Sequence, residues 1–430
     1  MPTISKRTKK LNKLQNKLQN KLQNKLQNTS ILKGGRYLGS GSFGCVISPA
    51  LQCNRKSKKY SLSQKRYSIP RDNVSKIIGR SDDDKEDTTD NEIAVSNKLK
   101  HIDPHQKYFV YIKENCKIRD VPKDRSNVAS VRYLDDESLE IQMLDKKKLD
   151  KHHCEVDLKL EPRNLILSDG GKELGDVLHI NAKMHSSSRT KYKSNYSDEI
   201  EMTKLFYSNF KYHSQYLLQG LYKLHQNNIV QRDIKIENLM IDWTSQSQSD
   251  VIVRYIDFGL SEILTPQYIS SKYNIHAQGT PELIPPDIII SSELKKYYRY
   301  DKEFILGKIM RELEKSVMKS FIELHLETSL IKPKAYTLID SIKQSFMDGT
   351  ILTKYFGNPN DKFNGYVYKS DVYALGITFY EILHKYCHGN SSCSDLKKNP
   401  KLAHLLKNMI ELDPDKRYNV LQCLQHPYFQ

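Results

Sequence analysis

Four short stretches, which occur in a fixed order along one chain, constrain this sequence more than any other feature. They are Gly39–Val46 (GSGSFGCV), Val74–Lys76, Arg232–Asn238 and Asp257–Gly259. Each stretch alone is weak, because a Gly-x-Gly-x-x-Gly run also opens dinucleotide-binding folds and Asp-Phe-Gly occurs by chance. Their joint order is hard to obtain by accident, so we interpret the four together.

Apolar residues flank the glycine run on both sides. Tyr37-Leu38 precede it and Val46-Ile47 follow it, which predicts a strand, a tight turn and a second strand. A dinucleotide site would instead open a helix at the third glycine. Because Gly39, Gly41 and Gly44 carry no Cβ, the backbone amides of such a hairpin can close over phosphate oxygens.

The composition of the chain limits the classes of protein to which it can belong. The chain has 430 residues and a formal charge of +17, of which residues 1–36 contribute ten Lys or Arg and no Asp or Glu. The seven cysteines are odd in number and scattered, with no Cys-x-x-Cys, which favours reduced thiols and a cytoplasmic location. We expect no signal peptide and no membrane span, because no sufficiently long apolar run occurs.

Residues 1–35 form a basic tail in which Lys-Leu-Gln-Asn repeats. The tail is predicted to be low-complexity and disordered; the alternative is a weak amphipathic helix with a leucine every fourth residue. A partner for this tail would be an anionic surface, either nucleic acid or acidic lipid.

We interpret residues 36–430 as one catalytic domain with insertions near 52–72, 117–160 and 288–365. The second insertion is charged and lacks clear periodicity. It contains His152-His153-Cys154, but no second ligand pair at metal spacing, so zinc is not expected. In the third, apolar residues recur almost every fourth position over 302–328, which predicts an amphipathic helix packed beside the substrate groove.

Other segments have clear local signals. Acidic residues from Asp82 to Asp90 precede an apolar run and predict the start of a helix that carries Glu92. Leu165–Leu167 is predicted to be a buried strand, residues 206–224 one long helix ending near Asn227, and Val372–Leu383 a helix buried on all sides. Histidines 213 and 225 of the long helix are interpreted as packing residues.

The four stretches supply what phosphoryl transfer requires, which is mainly positioning and neutralisation of phosphate charge. Lys76, between apolar neighbours on a strand, is placed to hold the α- and β-phosphates of ATP. A lysine in a partly buried cleft needs an opposite charge, and Glu92 is the natural partner.

The polar residues of the third and fourth stretches complete the set. Asp233 would accept or orient the proton of a substrate hydroxyl, and Lys235 would contact the γ-phosphate. Asn238 and Asp257 offer the hard oxygen ligands that Mg²⁺ prefers. ATP and Mg²⁺ are therefore the predicted cofactors.

From about Tyr37 to Gln430 the chain resembles eukaryotic-type Ser/Thr protein kinases. Lys235, two residues after the predicted catalytic aspartate, is the position that resembles Ser/Thr rather than Tyr kinases. The resemblance implies an α+β, bilobal fold with a small β-rich N-lobe and a mostly helical C-lobe, and protein substrates with Ser or Thr. It also implies nucleotide contacts from Gly39, Ser40, Gly41, Ser42, Phe43, Gly44, Val46 and Lys76.

Three further positions match the family. Gly279–Glu282 resembles the peptide-binding loop, in which the Thr280 hydroxyl would contact Asp233 and Lys235. Asp371, at the start of the buried helix, resembles the residue that anchors the catalytic loop. The C-terminal end resembles the last lobe of the family, and its Arg417 would form a buried ion pair.

The sequence also departs from the family. Gln231 stands where His is usual, which is expected to alter the packing under Phe258. Asp287 replaces the usual Glu partner of Arg417, so the geometry of that pair is expected to differ. Ser75 stands where a small residue is usual before Lys76, and the segment from Asp287 to Asp371 is unusually long.

Regulation and origin are also suggested. Arg232 is a cation that a phosphate on the segment between Asp257 and Asp287 could neutralise, so autophosphorylation is predicted at Ser270 or Ser271, although acidic residues could replace the phosphate. The glycine hinge at 168–174 and the Lys-, Asn-, Ile- and Tyr-rich composition resemble kinases of large nucleocytoplasmic DNA viruses, which would place the protein in host cytoplasm or virion.

Three alternatives stay open. A pseudokinase scaffold would bind partners without catalysis, but Lys76, Glu92, Asp233, Asn238 and Asp257 are all present. A small-molecule phosphotransferase would lack the peptide-binding loop. A nucleic-acid-binding protein would act through the basic tail, but the tail is compatible with that role only as an accessory to the catalytic domain.

Overall fold

The computed structural model describes residues 36–41, 44–48, 50, 73–78, 88–117, 129–134, 138–143, 154–156, 163–179, 197–244, 247–297, 299–300, 304, 331–358, 360–385 and 399–430. The chain divides into two compact units. The first comprises Met1–Asp87 and Ile112–Asp169, and the second comprises Thr88–Tyr111 and Gly170–Gln430.

The first unit is built on an antiparallel five-stranded sheet. Its spatial order is β1-β2-β3-β8-β4: β1 pairs with β2, β2 pairs with β3, and β8 lies between β3 and β4. Along β3, Val74, Ser75 and Ile77 are buried, whereas Asn73, Lys76 and Ile78 are half-buried. The strands are β1 (Arg36–Gly41), β2 (Gly44–Ser48), β3 (Asn73–Ile78), β4 (Ile112–Lys117) and β8 (Arg163–Ser168).

The second predicted insertion contains regular structure. β5 (Ala129–Leu134) pairs with β6 (Ser138–Met143) on one side and β7 (Cys154–Val156) on the other. Part of the segment 117–160 therefore forms strands, although its sequence shows no clear periodicity.

The second unit is rich in helices. These are α1 (Thr88–Ile102), α2 (Ser197–Ser208), α3 (Phe210–Gln226), α4 (Pro266–Ile269), α5 (Pro286–Tyr297), α6 (Ile331–Met347), α7 (Ile351–Phe356), α8 (Tyr366–Lys385), α9 (Pro400–Met409) and α10 (Val420–Leu424).

Helix α1 forms where the acidic run predicts it, with Asp90 in its first turn. The prediction of one long helix over 206–224 is wrong, since α2 ends at Ser208 and α3 begins at Phe210. Asn209 between them has a ψ of 23°, which is outside the helical range, so the apolar stripe continues while the backbone breaks.

Two small antiparallel sheets in this unit position the polar stretches. The first has the order β12-β11-β9 and joins β9 (Lys172–Glu173), β11 (Leu239–Thr244) and β12 (Ser247–Tyr255). The second joins β10 (Ile229–Val230) to β13 (Glu262–Ile263). Residues Arg232–Asn238 therefore connect a strand of one sheet to a strand of the other.

Helix α8 lies at the centre of the second unit, as its apolar sequence predicts. Side chains along its length, including Val372, Leu375 and Phe379, are almost fully buried. Each contributes about 1.5–3 kcal/mol of transfer free energy relative to exposure. One side of the helix packs into a cluster with α3 and α9, and the other into a cluster with α5, α6 and α7.

The third predicted insertion is part of this packing. Ile288 and Ile290 of α5, Ile339 of α6, and Tyr355 of α7 are buried in the same apolar cluster as α8. The residues described near its two ends therefore belong to the interior of the second unit. Apart from Phe304, the helix predicted over 302–328 lies outside the described residues.

Two further predictions fall outside the described part of the chain, namely those for the tail at 1–35 and for the insertion at 52–72. Among the residues that the structure does describe, no helix is long and apolar enough to cross a membrane.

Candidate catalytic site

The ladder between β11 and β12 brings the two predicted metal ligands to one end of a sheet. Leu239 is paired with Tyr255, and the backbone N–H of Ile256 donates to the carbonyl of Asn238 at 3.0 Å. Asn238 and Asp257 are therefore neighbours across the end of the ladder. Asp257 has a φ of 56°, a left-handed conformation that only tertiary contacts can maintain in a non-glycine residue.

Asp371 fixes the backbone of the loop before Asn238. Its carboxylate accepts hydrogen bonds from the backbone N–H groups of Gln231 and Arg232, both at 2.8 Å. The Nε2 of His225 lies 3.0 Å from the same carboxylate. The expected anchor is therefore present, although Asp371 lies in the second turn of α8 and not at its start. His225 is also more than the packing residue that was predicted.

Gln231, which stands where the family has His, bridges two parts of the site. Its buried Oε1 accepts from the backbone N–H of Asp233 at 2.7 Å, and its Nε2 donates to the carbonyl of Asp257 at 3.1 Å. Phe258, the residue after Asp257, is buried, and its ring lies edge-on to that of Phe109. A neutral amide is both donor and acceptor at every pH, so it holds both loops without titrating.

Several hydrogen bonds and one ion pair converge on the carboxylate of Asp233. Its Oδ1 accepts from the backbone N–H of Thr280 at 2.9 Å and from the Thr280 hydroxyl at 2.6 Å. Its Oδ2 accepts from Nδ2 of Asn238 and lies 2.9 Å from Nζ of Lys235. Lys235 also donates to the Thr280 hydroxyl at 3.1 Å. The predicted contacts of Thr280 are thus present.

This arrangement holds an alcohol oxygen between a carboxylate and an ammonium group. Asp233 is 7% exposed, so the pair works in a partly desolvated environment where electrostatic interactions are stronger than in water. A carboxylate within hydrogen-bonding distance of a hydroxyl is the geometry that general-base catalysis requires.

Gly279 allows the peptide-binding loop to approach the catalytic loop. Its φ is +121°, and a Cβ at this position would lie 2.2 Å from the carbonyl oxygen of Arg232. No side chain fits at that distance, so glycine is required here by both conformation and space.

The glycine hairpin and Lys76 belong to the first unit. Gly39 pairs with Val46 and Gly41 with Gly44, which confirms the predicted strand, turn and strand. Val46 pairs in turn with Lys76 of β3, so the two side chains share one face of the sheet. Ser42 and Phe43 lie outside the described residues.

Glu92 lies on α1 of the second unit and is 4% exposed. Its neighbour Asn91 donates from Nδ2 to the carbonyls of Gly259 at 3.2 Å and Ser261 at 2.5 Å. Helix α1 is therefore tied to the segment that follows Asp257.

The residues at the end of the β11–β12 ladder fit a hard cation. Asn238 donates its amide nitrogen to the carbonyl and carboxylate of Asp233, which leaves its amide oxygen as the atom suited to a metal. Together with the Asp257 carboxylate this is an all-oxygen donor set of the kind that Mg²⁺ prefers. In the described part of the chain, no cluster of three His, Cys, Asp or Glu has a geometry suited to a metal.

An acidic group lies beside the catalytic loop that the sequence did not single out. Burial, together with the nearby Asp176 and Glu237, raises the pKa of Glu173 to about 7, while Lys235 opposes the shift. The surroundings of Lys235 are therefore anionic. Acidic residues are closely spaced around the glycine hinge at 168–174, which could have indicated an anionic site. Only the pairing of β9 with β11 shows that Glu173 lies near the catalytic loop.

Comparison with known proteins agrees with this geometry. A family profile described as protein kinase domain matches residues 183–316, which include the catalytic loop and the peptide-binding loop. This part of the chain is therefore similar to a protein kinase domain. Similar proteins include several described as serine/threonine-protein kinases, in agreement with the prediction from Lys235.

Three relatives illustrate the similarity. The meiosis-specific serine/threonine-protein kinase mek1 of Schizosaccharomyces pombe is 26% identical over 215 residues, which is 50% of this chain and 35% of that protein. The mitogen-activated protein kinase HOG1 of Alternaria brassicicola is 26% identical over 49% of each chain. The serine/threonine-protein kinase Nek8 of Danio rerio is 25% identical over 49% of this chain and 21% of its own length. The matches thus span half or less of these relatives.

Proposed function

We propose that this chain transfers the γ-phosphate of ATP, with Mg²⁺, to Ser or Thr hydroxyls of protein substrates. The observation that carries the proposal is the Asp233 carboxylate, which lies 2.6 Å from one hydroxyl and 2.9 Å from the Lys235 ammonium. The proposal includes the bilobal kinase fold that the sequence predicts.

When bound, ATP supplies the phosphoryl group and Mg²⁺ neutralises charge on its phosphates. Asn238 and Asp257 would hold the metal through oxygen atoms. Asp233 would take the hydroxyl proton at its carboxylate, and Lys235 would neutralise negative charge on the phosphoryl oxygens. The roles of Lys76, Glu92 and the residues at Gly39–Gly44 and Val46 rest on the resemblance and are part of the proposal.

The test is transfer of labelled phosphate from ATP to a generic Ser/Thr peptide array, in the presence of Mg²⁺. Asp233→Asn and Asp257→Asn should each lower kcat by roughly 10² or more while the fold persists, because they remove the base and a metal ligand. Lys76→Met should mainly weaken nucleotide binding. Asp198→Asn, on the exposed first turn of α2, is the matched control and should behave as wild type.

Each outcome decides between the proposal and its alternatives. Equal transfer by the wild type and all three variants would exclude this site as the source of the activity. Nucleotide binding without any transfer by the wild type would favour the pseudokinase scaffold. Phosphorylation of small alcohols but not of peptides would favour a small-molecule phosphotransferase.

Several finer predictions accompany the proposal and rest on sequence alone. They are the cytoplasmic location, the attachment of the 1–35 tail to nucleic acid or acidic lipid, and the similarity to kinases of large DNA viruses. Salt-dependent retention of the full chain, but not of a chain lacking residues 1–35, on nucleic acid or acidic vesicles would support the second of these.

A further inference from the structure

Arg232, next to the catalytic aspartate, is a buried cation in a strained backbone conformation. Its φ is 66°, and its side chain is 3% exposed. A guanidinium group removed from water needs an opposite charge, because an isolated buried charge is strongly unfavourable. The position of Asp233 depends on how this neighbour is held.

Glu262 of β13 supplies that charge. Its Oε2 lies 2.5 Å from Nη2 of Arg232, and its own side chain is 12% exposed. Burial alone would raise the pKa of Glu262, but Arg232 and His276 together hold it below its usual range. The carboxylate is therefore ionised where the arginine needs it.

His276 closes the network on the other side. Its Nε2 lies 2.7 Å from Oε1 of Glu262. Its carbonyl oxygen accepts from Nη1 of Arg232 at 3.1 Å and from the Tyr355 hydroxyl at 3.0 Å. The segment that leads to Gly279 is thus fastened to the same ion pair.

Three hydroxyl groups on the segment between Asp257 and Asp287, including those of Ser270 and Ser271, take part in local turns. Thr265 accepts from the backbone N–H of Tyr268 and begins α4, while Ser271 accepts from that of Tyr273. Ser270 donates to the carbonyl of Gln267 at 2.8 Å. The guanidinium of Arg232 already has an anionic partner in Glu262, which fits the expectation that an acidic residue could replace the phosphate; autophosphorylation at Ser270 or Ser271 stays a prediction.

We propose that Glu262 is a positioning residue that permanently neutralises Arg232, so that the catalytic loop is held in place without phosphate on the segment between Asp257 and Asp287. This inference rests on the proposed phosphotransfer activity. Through His276 the same carboxylate also orders the approach to the peptide-binding loop, where Thr280 contacts Asp233.

The experiment uses the full chain after phosphatase treatment, with an intact mass that shows no phosphate. We expect wild-type kcat to be unchanged by this treatment. The variant Thr265→Asn/Ser270→Ala/Ser271→Asn cannot be phosphorylated at these positions and keeps both turn acceptors. It should also retain wild-type kcat on a Ser/Thr peptide.

Glu262→Gln keeps the shape of the side chain and removes its charge. We expect kcat to fall about 10²-fold, because misplacement of a catalytic group by about 1 Å costs that much, while KM for ATP hardly changes. Glu262→Asp keeps the charge and should recover part of the loss. Wild-type kcat in Glu262→Gln, or loss of activity on phosphatase treatment, would overturn the proposal.

A second measurement does not depend on activity. Hydrogen exchange of peptides that cover 229–238 and 275–281 should increase in Glu262→Gln and not in the triple variant. If neither segment changes, the proposal fails whether or not the wild type transfers phosphate. Absence of transfer by the wild type, with exchange increased as expected in Glu262→Gln, would instead count against the proposed function while the positioning role stands.

Discussion

Two buried arginine–carboxylate pairs in the second unit are held in different ways. Arg417 and Asp287 are both 0% exposed and meet through one contact of 2.6 Å between Nη2 and Oδ1. Arg232 and Glu262 are slightly exposed and share a network with His276. The first pair joins helix α5 to the C-terminal end of the chain, and the second lies beside the catalytic loop.

The two carboxylates respond oppositely to their surroundings. Complete burial raises the pKa of Asp287 in spite of Arg417, whereas Arg232 and His276 lower the pKa of Glu262 against the effect of its burial. Both pairs contain atoms without a hydrogen-bond partner among the described residues. They are Oδ2 of Asp287 and Nη1 of Arg417 in the first pair, and Nε and Nη2 of Arg232 with Oε2 of Glu262 in the second, although Nη2 and Oε2 of the second pair are in ion-pair contact. The expectation that the shorter Asp287 alters its pair is consistent with the single contact. The two pKa values shift in opposite directions because Glu262 is less completely buried and has a second neighbour, His276.

The largest loss of stability should come from breaking the more buried pair. Arg417→Met leaves Asp287 without its partner and should lower the free energy of unfolding by about 3–5 kcal/mol, measured by urea denaturation. Lys369, which also lowers the pKa of Asp287, should keep the loss near the lower limit.

The double variant Arg417→Met/Asp287→Leu is the control for this prediction. It replaces the pair with apolar groups and should recover most of the stability. If the free energy of unfolding of Arg417→Met lies within about 0.5 kcal/mol of the wild-type value, as it does for a neutral surface substitution, the pair has no stabilising role.

His213 differs from both arginine–carboxylate pairs, because it is a buried titratable group for which no hydrogen-bond partner is found among the described residues. It stacks on Phe206, and burial lowers its pKa to about 4, partly opposed by Asp250. The unfolded chain takes up the proton near pH 6.5 and the folded chain only near pH 4. Stability should therefore fall by up to about 3 kcal/mol as pH decreases across this range.

The test compares unfolding of wild type and His213→Leu between pH 7 and pH 4. The variant should lose this component of the pH dependence, whereas His105→Leu at an exposed position should keep it. Identical slopes for wild type and His213→Leu would show that another group is responsible.

The smallest effect concerns the stability that Glu262 contributes. Since its pKa is lowered on folding, its ionised form stabilises the native state above about pH 4.5, and this contribution is lost as pH falls through the folded pKa. Glu262→Gln should be less stable than wild type by about 1.5–3 kcal/mol at pH 7. The difference, followed by urea denaturation, should shrink below pH 4.5; a constant difference would mean that packing and not charge is lost.

The sequence predicted the parts of the site that depend on local spacing. The glycine hairpin and the helix that carries Glu92 follow from short motifs, because the spacing within each motif specifies its local geometry. The Thr280 contacts and the Asp371 anchor join residues 47 and 140 positions apart, so they followed only from the resemblance to protein kinases.

What the sequence did not predict depends on distant parts of the chain. Glu262 lies on a two-residue strand without periodicity, and its partner His276 is set by a loop. The Tyr355 hydroxyl donates to the carbonyl of His276 from the third insertion, 79 positions further along the chain. No local pattern indicates such contacts, because tertiary packing decides them.

The Asp371 anchor has a consequence for how the chain reaches its active form. Its carboxylate joins residues separated from it by 139, 140 and 146 positions. Closing so long a loop costs chain entropy before the hydrogen bonds compensate, and such distant contacts form slowly. We therefore expect the contacts of Asp371 to form late in folding, and the loop that carries Asp233 to adopt the left-handed backbone of Arg232 only then.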